Sequence, residues 1–107
     1  LAAACLLSAF TPALAQDLSP DAKRLLAYGT VAVVVKSCDL PITDTENKQM
    51  MDAMSKYADQ QKDISKDQFT EAMKAAGAQV GSNKETVCGE AKTTSIADML
   101  AEAEKGE

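Results

Sequence analysis

Histidine and tryptophan are absent from the 107 residues, and Arg24 is the only arginine. Without histidine, the usual Ser-His-Asp and Cys-His relays and most zinc sites are unavailable. Aromatic residues amount to two tyrosines and two phenylalanines, and acidic side chains outnumber basic ones 16 to 11, giving a formal net charge of −5. Nucleic-acid binding draws on clustered cations and aromatic stacking, so that class is excluded, and attraction to anionic membrane is weak. No glycine-rich phosphate loop is present. Carboxylates do recur one turn apart, as in Asp59 with Asp63 and Asp63 with Asp67. Glycosidase-type chemistry needs two such groups across a cleft with separated pKa values, and nothing in the pattern indicates a cleft. They read as solvated helix faces. Asp59, Asp63, Ser65 and Asp67 do not make a calcium loop either, because the turn glycine is missing and Thr70 stands where its bidentate glutamate belongs. No nucleophile–base pair can be nominated, so no catalytic residue, cofactor or enzymatic activity is expected.

Long hydrophobic runs are also missing. The stretch from Leu1 to Leu14 carries no charge, is dominated by Ala and Leu, and is shorter than the 20 or so residues of a spanning helix. Ala13-Leu14-Ala15 follows the small-x-small pattern that signal peptidase reads. The stretch therefore reads as the back half of a secretory leader, residues 1–15, cut after Ala15. One helical domain, residues 16–107, remains. In the rival reading, Ala2-Ala3-Ala4-Cys5 precedes a lipidated cysteine. That would strand the apolar residues from Leu6 to Phe10 beyond the anchor, so simple cleavage is preferred. The expected location is periplasmic or secreted, with no stable membrane insertion.

Export makes the remaining cysteines informative. Cys38 and Cys88 are the only thiols after the leader, and an oxidising compartment joins such pairs. The bond closes a loop of about 50 residues, worth roughly 4 kcal/mol on the chain-entropy model. A redox role is disfavoured, since catalytic pairs sit close together as in C-x-x-C.

The rest of the chain reads as helix. Ser19-Pro20-Asp21 starts one, with Leu25, Tyr28, Val31, Val35 and Cys38 as its apolar stripe. The branched run from Gly29 to Val35 would also suit a strand, but no second strand-like run exists to pair with it. Pro41 ends this helix near Cys38. Thr43 to Glu46 is a capping box opening a second helix, whose stripe is Met50, Met51, Met54, Tyr57 and Ala58. Ser65 and Gln68 form another box, with Ile64 and Phe69 as a hydrophobic staple, and Ala72, Met73, Ala76 and Val80 continue the stripe. Ser82 to Glu85 is a further possible box, so the chain restarts there or runs on as one bent helix through Cys88. Ile96, Met99, Leu100 and Ala103 mark a final helix capped by Ser95 or Thr94. The expected fold is all-α, a compact bundle of four or five short helices stapled by the Cys38–Cys88 disulfide.

Two features bear on function. Met50, Met51 and Met54 place thioethers on neighbouring positions of one helix, a soft donor set of the kind that selects Cu(I). As Tyr57 and Ala58 continue the same stripe, core packing is the preferred reading. In outline, the chain resembles the small periplasmic acid-stress chaperones in size, all-helical content and a single disulfide across a long loop. The resemblance is architectural and carries no residue across. It implies a protein that loosens in acid and holds clients there. The leading expectation is a non-catalytic, exported factor that binds another protein.

Overall fold

Pro20–Ser37 forms α1, the helix around which the others are arranged. Ser19 is extended (φ −63°, ψ 159°), and its hydroxyl accepts the Ala22 N–H at 3.3 Å. Pro20 takes a position where a missing N–H costs nothing, and Asp21 lies at the positive end of the helix dipole. The remaining helices are α2 (Asp44–Gln60), α3 (Lys66–Ser82), α4 (Lys84–Thr93) and α5 (Ile96–Glu104). This computed structural model describes residues 18–106, and among them there is no strand. Cys5 and the expected cleavage site after Ala15 lie outside the described residues.

α1 is buried on two sides. Along one, Leu25, Tyr28, Val31 and Val34 join a cluster with Tyr57 of α2, Val80 of α3, and Leu100 and Ala103 of α5. Along the other, Ala22 and Leu26 share a second cluster with Ile64 and Ala72, against which Phe69 and Met73 pack. This corrects the single stripe expected for α1, in which Val35 was a core position. Val35 is half-buried, and Val34 is 2% exposed instead. The strand-like run from Gly29 to Val35 has the same explanation, because a helix covered on several faces carries branched apolar residues on all of them. Gly29 marks the closest approach to α3, where a methyl group would come within 2.6 Å of the Met73 Sδ. The buried Thr30 satisfies its hydroxyl within the helix, donating to the Leu26 carbonyl at 2.8 Å.

α1 stops by a sharper device than Pro41 alone. Asp39 adopts a left-handed conformation (φ 52°), and the Leu40 N–H reaches back to the Val35 carbonyl at 3.0 Å. This is a Schellman closure, with aspartate where glycine is commoner. Both capping boxes at α2 and α3 form reciprocally. The Glu46 N–H donates to the Thr43 Oγ1 and the Thr43 N–H to the Glu46 Oε1, each at 3.1 Å. Ser65 and Gln68 repeat the exchange at 2.9 and 3.1 Å, with Ile64 and Phe69 together in the second cluster.

The expected box from Ser82 to Glu85 does not form. α3 and α4 are separate helices meeting at Asn83 (φ −123°, ψ 34°), which makes no side-chain cap for α4. Its Nδ2 instead donates back to the Gln79 carbonyl at 3.2 Å, closing α3. The amide satisfies one helix end at the expense of the other. Ser95, rather than Thr94, caps α5 by accepting the Asp98 N–H at 3.1 Å. Cys38, just beyond α1, is joined to Cys88 on α4, with their Cα atoms 5.4 Å apart and well within the range a disulfide spans.

Candidate functional site

The three methionines singled out by spacing do not share one environment. Met50 is 4% exposed in the main cluster, whereas Met51 is 53% exposed, the one large hydrophobic side chain so placed among the described residues. Met54 is half-buried beside it. Ala58, expected on the core stripe, is also exposed. The stripe therefore divides. Met50 and Tyr57 face the core, Met54 packs against its edge, and Met51, Ser55 and Ala58 lie exposed beside it.

Met51, Met54, Ser55 and Ala58 form one wall of an open groove of about 450 Å³. Leu25 of α1 lies at its base, and Ile64, Lys66 and Phe69 form the opposite wall. The short connection from α2 to α3 holds that wall in place. The buried Gln61 side chain donates to the Ile64 carbonyl and accepts the Ile64 N–H, both at 2.8 Å. Asp63 accepts the Ser19 N–H at 2.7 Å, fastening the connection to the start of α1, and that bond holds its carboxyl below the usual range. Gln61 and Ser65 also border the groove, but their polar atoms are engaged in the connection and the α3 cap. Among the described residues, the Ser55 hydroxyl and the Lys66 ammonium are the lining side-chain groups that bond to no neighbour. A second depression, of about 460 Å³, lies between Leu40, Pro41, Glu46, Lys92 and Ile96.

A polar cluster missed in the sequence ties α5 to α1 and α2. The Glu104 carboxylate accepts the Tyr28 phenol at 2.7 Å and the Tyr57 phenol through its other oxygen. The tyrosine rings stack with centroids 6.0 Å apart, and the Arg24 guanidinium lies 5.5 Å from the Tyr57 ring centre. Arg24 Nε donates to the Glu104 backbone carbonyl at 2.7 Å, and Nη1 pairs with Asp21 at 2.9 Å. Lys56 approaches the Tyr57 ring to 5.1 Å. Asp21, Arg24 and Tyr28 stand at i, i+3 and i+7, one face of α1, which is the local trace of this cluster in the sequence.

Its electrostatics follow from the two phenol bonds to Glu104. Burial, with the Glu104 hydrogen bond, pushes the Tyr28 phenol far above its ordinary value. The Glu104 hydrogen bond, with burial, does the same for Tyr57. Burial pushes the Glu104 carboxyl upward, but the two phenol bonds and the Arg24 and Lys56 cations outweigh it and hold the pKa below that of ordinary glutamate. The cluster is a clamp.

No group of three or more His, Cys, Asp or Glu able to hold a metal occurs among the described residues. Nor is any described helix long and apolar enough to cross a membrane. No family model, curated protein or solved structure matches this chain.

Proposed function

We propose that the protein is a non-catalytic binding factor of an oxidising, exported compartment, periplasmic or secreted, which holds another polypeptide in the methionine-walled groove. The observation that carries this reading is the exposure of Met51 at the lip of an apolar groove whose walls are fixed by caps and by Gln61. What supports the reading is the pairing of one open methionine with an apolar groove beside it, since methionine adapts its shape to what it meets. The disulfide fits such a role, holding a small frame rigid while one face stays open. The test is site-specific photocrosslinking in the native compartment, from position 51 and, as a control, from the exposed Lys74. A defined adduct from position 51 and none from position 74 supports the reading. Equal or absent adducts remove it.

A second reading, an acid-stress chaperone, is favoured by the Glu104 clamp. Protonating that carboxylate deprives both phenols of their charged acceptor. At the same time 11 cations lose their acidic counterparts, so self-repulsion loosens the bundle. Such a protein suppresses client aggregation at about pH 2–3, where carboxylates are neutral. A chain that stays compact and inert there is not of this kind.

A further inference from the structure

The groove's chemistry narrows what it accepts. Met51, Met54, Ser55 and Ala58 stand at i, i+3, i+4 and i+7, a strip of α2 about 10 Å long at 1.5 Å per residue. Two further properties restrict the occupant. Among the described residues there is no strand, hence no sheet edge to which an extended peptide could add. The Gln61 amide at the groove is already used internally and the Ser65 Oγ already accepts the Gln68 N–H, so the Ser55 and Ser65 hydroxyls and Lys66 are too few to pair a whole backbone. A peptide lying extended against such walls would bury backbone N–H and C=O groups without partners, each at a cost comparable to a lost hydrogen bond. A helix brings its backbone bonds with it. The walls thus favour an occupant presenting side chains only, over about two turns.

Charge fixes its polarity. Lys66 is the one charged residue lining the groove, and among the described residues it makes no ion pair. An acid on the occupant would meet it, whereas a cation there would be repelled.

We propose that the groove receives an amphipathic helix of a partner protein, with apolar anchors at i, i+4 and i+7 and a flanking aspartate or glutamate set against Lys66. This rests on the binding role proposed above and adds the partner's chemistry. A second copy of this chain is a poorer occupant, since two molecules of net charge −5 repel and the helices here turn their apolar faces inward.

The probes are synthetic helical peptides with leucine anchors at those positions and one flanking glutamate, their glutamine and lysine twins, and a proline-interrupted version that cannot form the helix. They are titrated into the oxidised full chain carrying 13C-methyl methionine and followed by NMR. Met51 and Met54 report on the groove, while buried Met50 and Met99 serve as internal controls. The glutamate peptide is expected to shift Met51 and Met54 selectively and to bind about 2- to 5-fold more tightly than its glutamine twin, the value of one exposed ion pair. Lys66→Gln removes that preference, and Met51→Asp, on an exposed side chain, abolishes binding without unfolding the chain. The proposal is overturned if no helical peptide moves the two signals, or if the proline-interrupted peptide binds equally well. Glutamate and glutamine peptides binding alike also overturns it, as does a concentration-dependent shift of Met51 without peptide, which would make a second copy the occupant. Crosslinks from position 51 that persist when the peptides fail would leave the binding role standing with a different occupant.

Discussion

Glu104 adds to the apolar packing of α5 a polar tie of long reach, because one carboxylate serves partners on both α1 and α2. Arg24 adds a bond to the carbonyl of the same residue, where cations favour a helix C-terminus. Glu104→Gln keeps the shape but loses the charge, and should cost about 1–2 kcal/mol, discounted for a side chain that water reaches. The pH dependence has a definite sign. Since the folded Glu104 carboxyl titrates below its ordinary value, its contribution is complete above about pH 4.3 and disappears as pH falls through the depressed value. The phenols act oppositely. Their raised values mean that their contribution holds below about pH 10 and is lost as pH rises through the folded values. Urea unfolding followed by circular dichroism should therefore show wild type and Glu104→Gln well separated at pH 7 and converging as the pH falls through the depressed Glu104 value. A gap that persists in acid would mean that the carboxylate's charge is not what holds α5. Half of this cluster was legible. Asp21, Arg24 and Tyr28 share a helix face, but their acceptor lies 76 positions from Tyr28, and no local pattern announces such a meeting.

Among the helices, the ends were read more securely than the interiors. Thr43 with Glu46 and Ser65 with Gln68 are three-residue exchanges, complete within the sequence that shows them. Asn83 was not decidable in this way, because its amide can serve the end of α3 or the start of α4 and does the former. Burial patterns failed where neighbours mattered. The period of α2 marks Met51 and Ala58 as apolar, yet no spacing rule states whether another helix arrives to cover them. Two glycines separate these influences. Gly77 lies within α3 with nothing within 4 Å of a would-be Cβ, so Gly77→Ala should raise stability by about 0.5–1 kcal/mol through backbone entropy alone. At Gly29 a Cβ would stand 2.6 Å from the Met73 Sδ and 2.9 Å from the Phe69 ring. Gly29→Val should therefore destabilise by about 1–3 kcal/mol, and by moving Phe69 should also disturb the groove. Paired thermal melts check both. Stabilisation by Gly29→Val would show that α1 and α3 are less closely packed than described.

At the scale of the molecule, two long-range ties hold the helices together, and they do different work. The Glu104 clamp fastens α5 to α1 and α2 through groups that water reaches in part. The Cys38–Cys88 bond fastens α4, whose packing against the rest is slight, to the end of α1. The cysteine pairing was legible because the thiols are so few, whereas the dependence of α4 on it emerges only from the packing. With a separation of 50 positions, the bond contributes roughly 4 kcal/mol by restricting the unfolded chain, against a net stability of about 5–15 kcal/mol for ordinary domains. Replacing both cysteines by serine should accordingly lower the urea midpoint severely or abolish the cooperative transition. Loss of the bond should not be felt evenly. Amide exchange in the double variant is expected to accelerate first along residues 84–93, because beyond the bond α4 is held chiefly by Val87 and Ala91 in the main cluster. α1, α2 and α5 keep their shared core and the Glu104 clamp, and should exchange last. Uniform acceleration along the chain would mean that the bond acts only on the unfolded state. No acceleration and an unchanged midpoint would mean that the helices need no covalent tie.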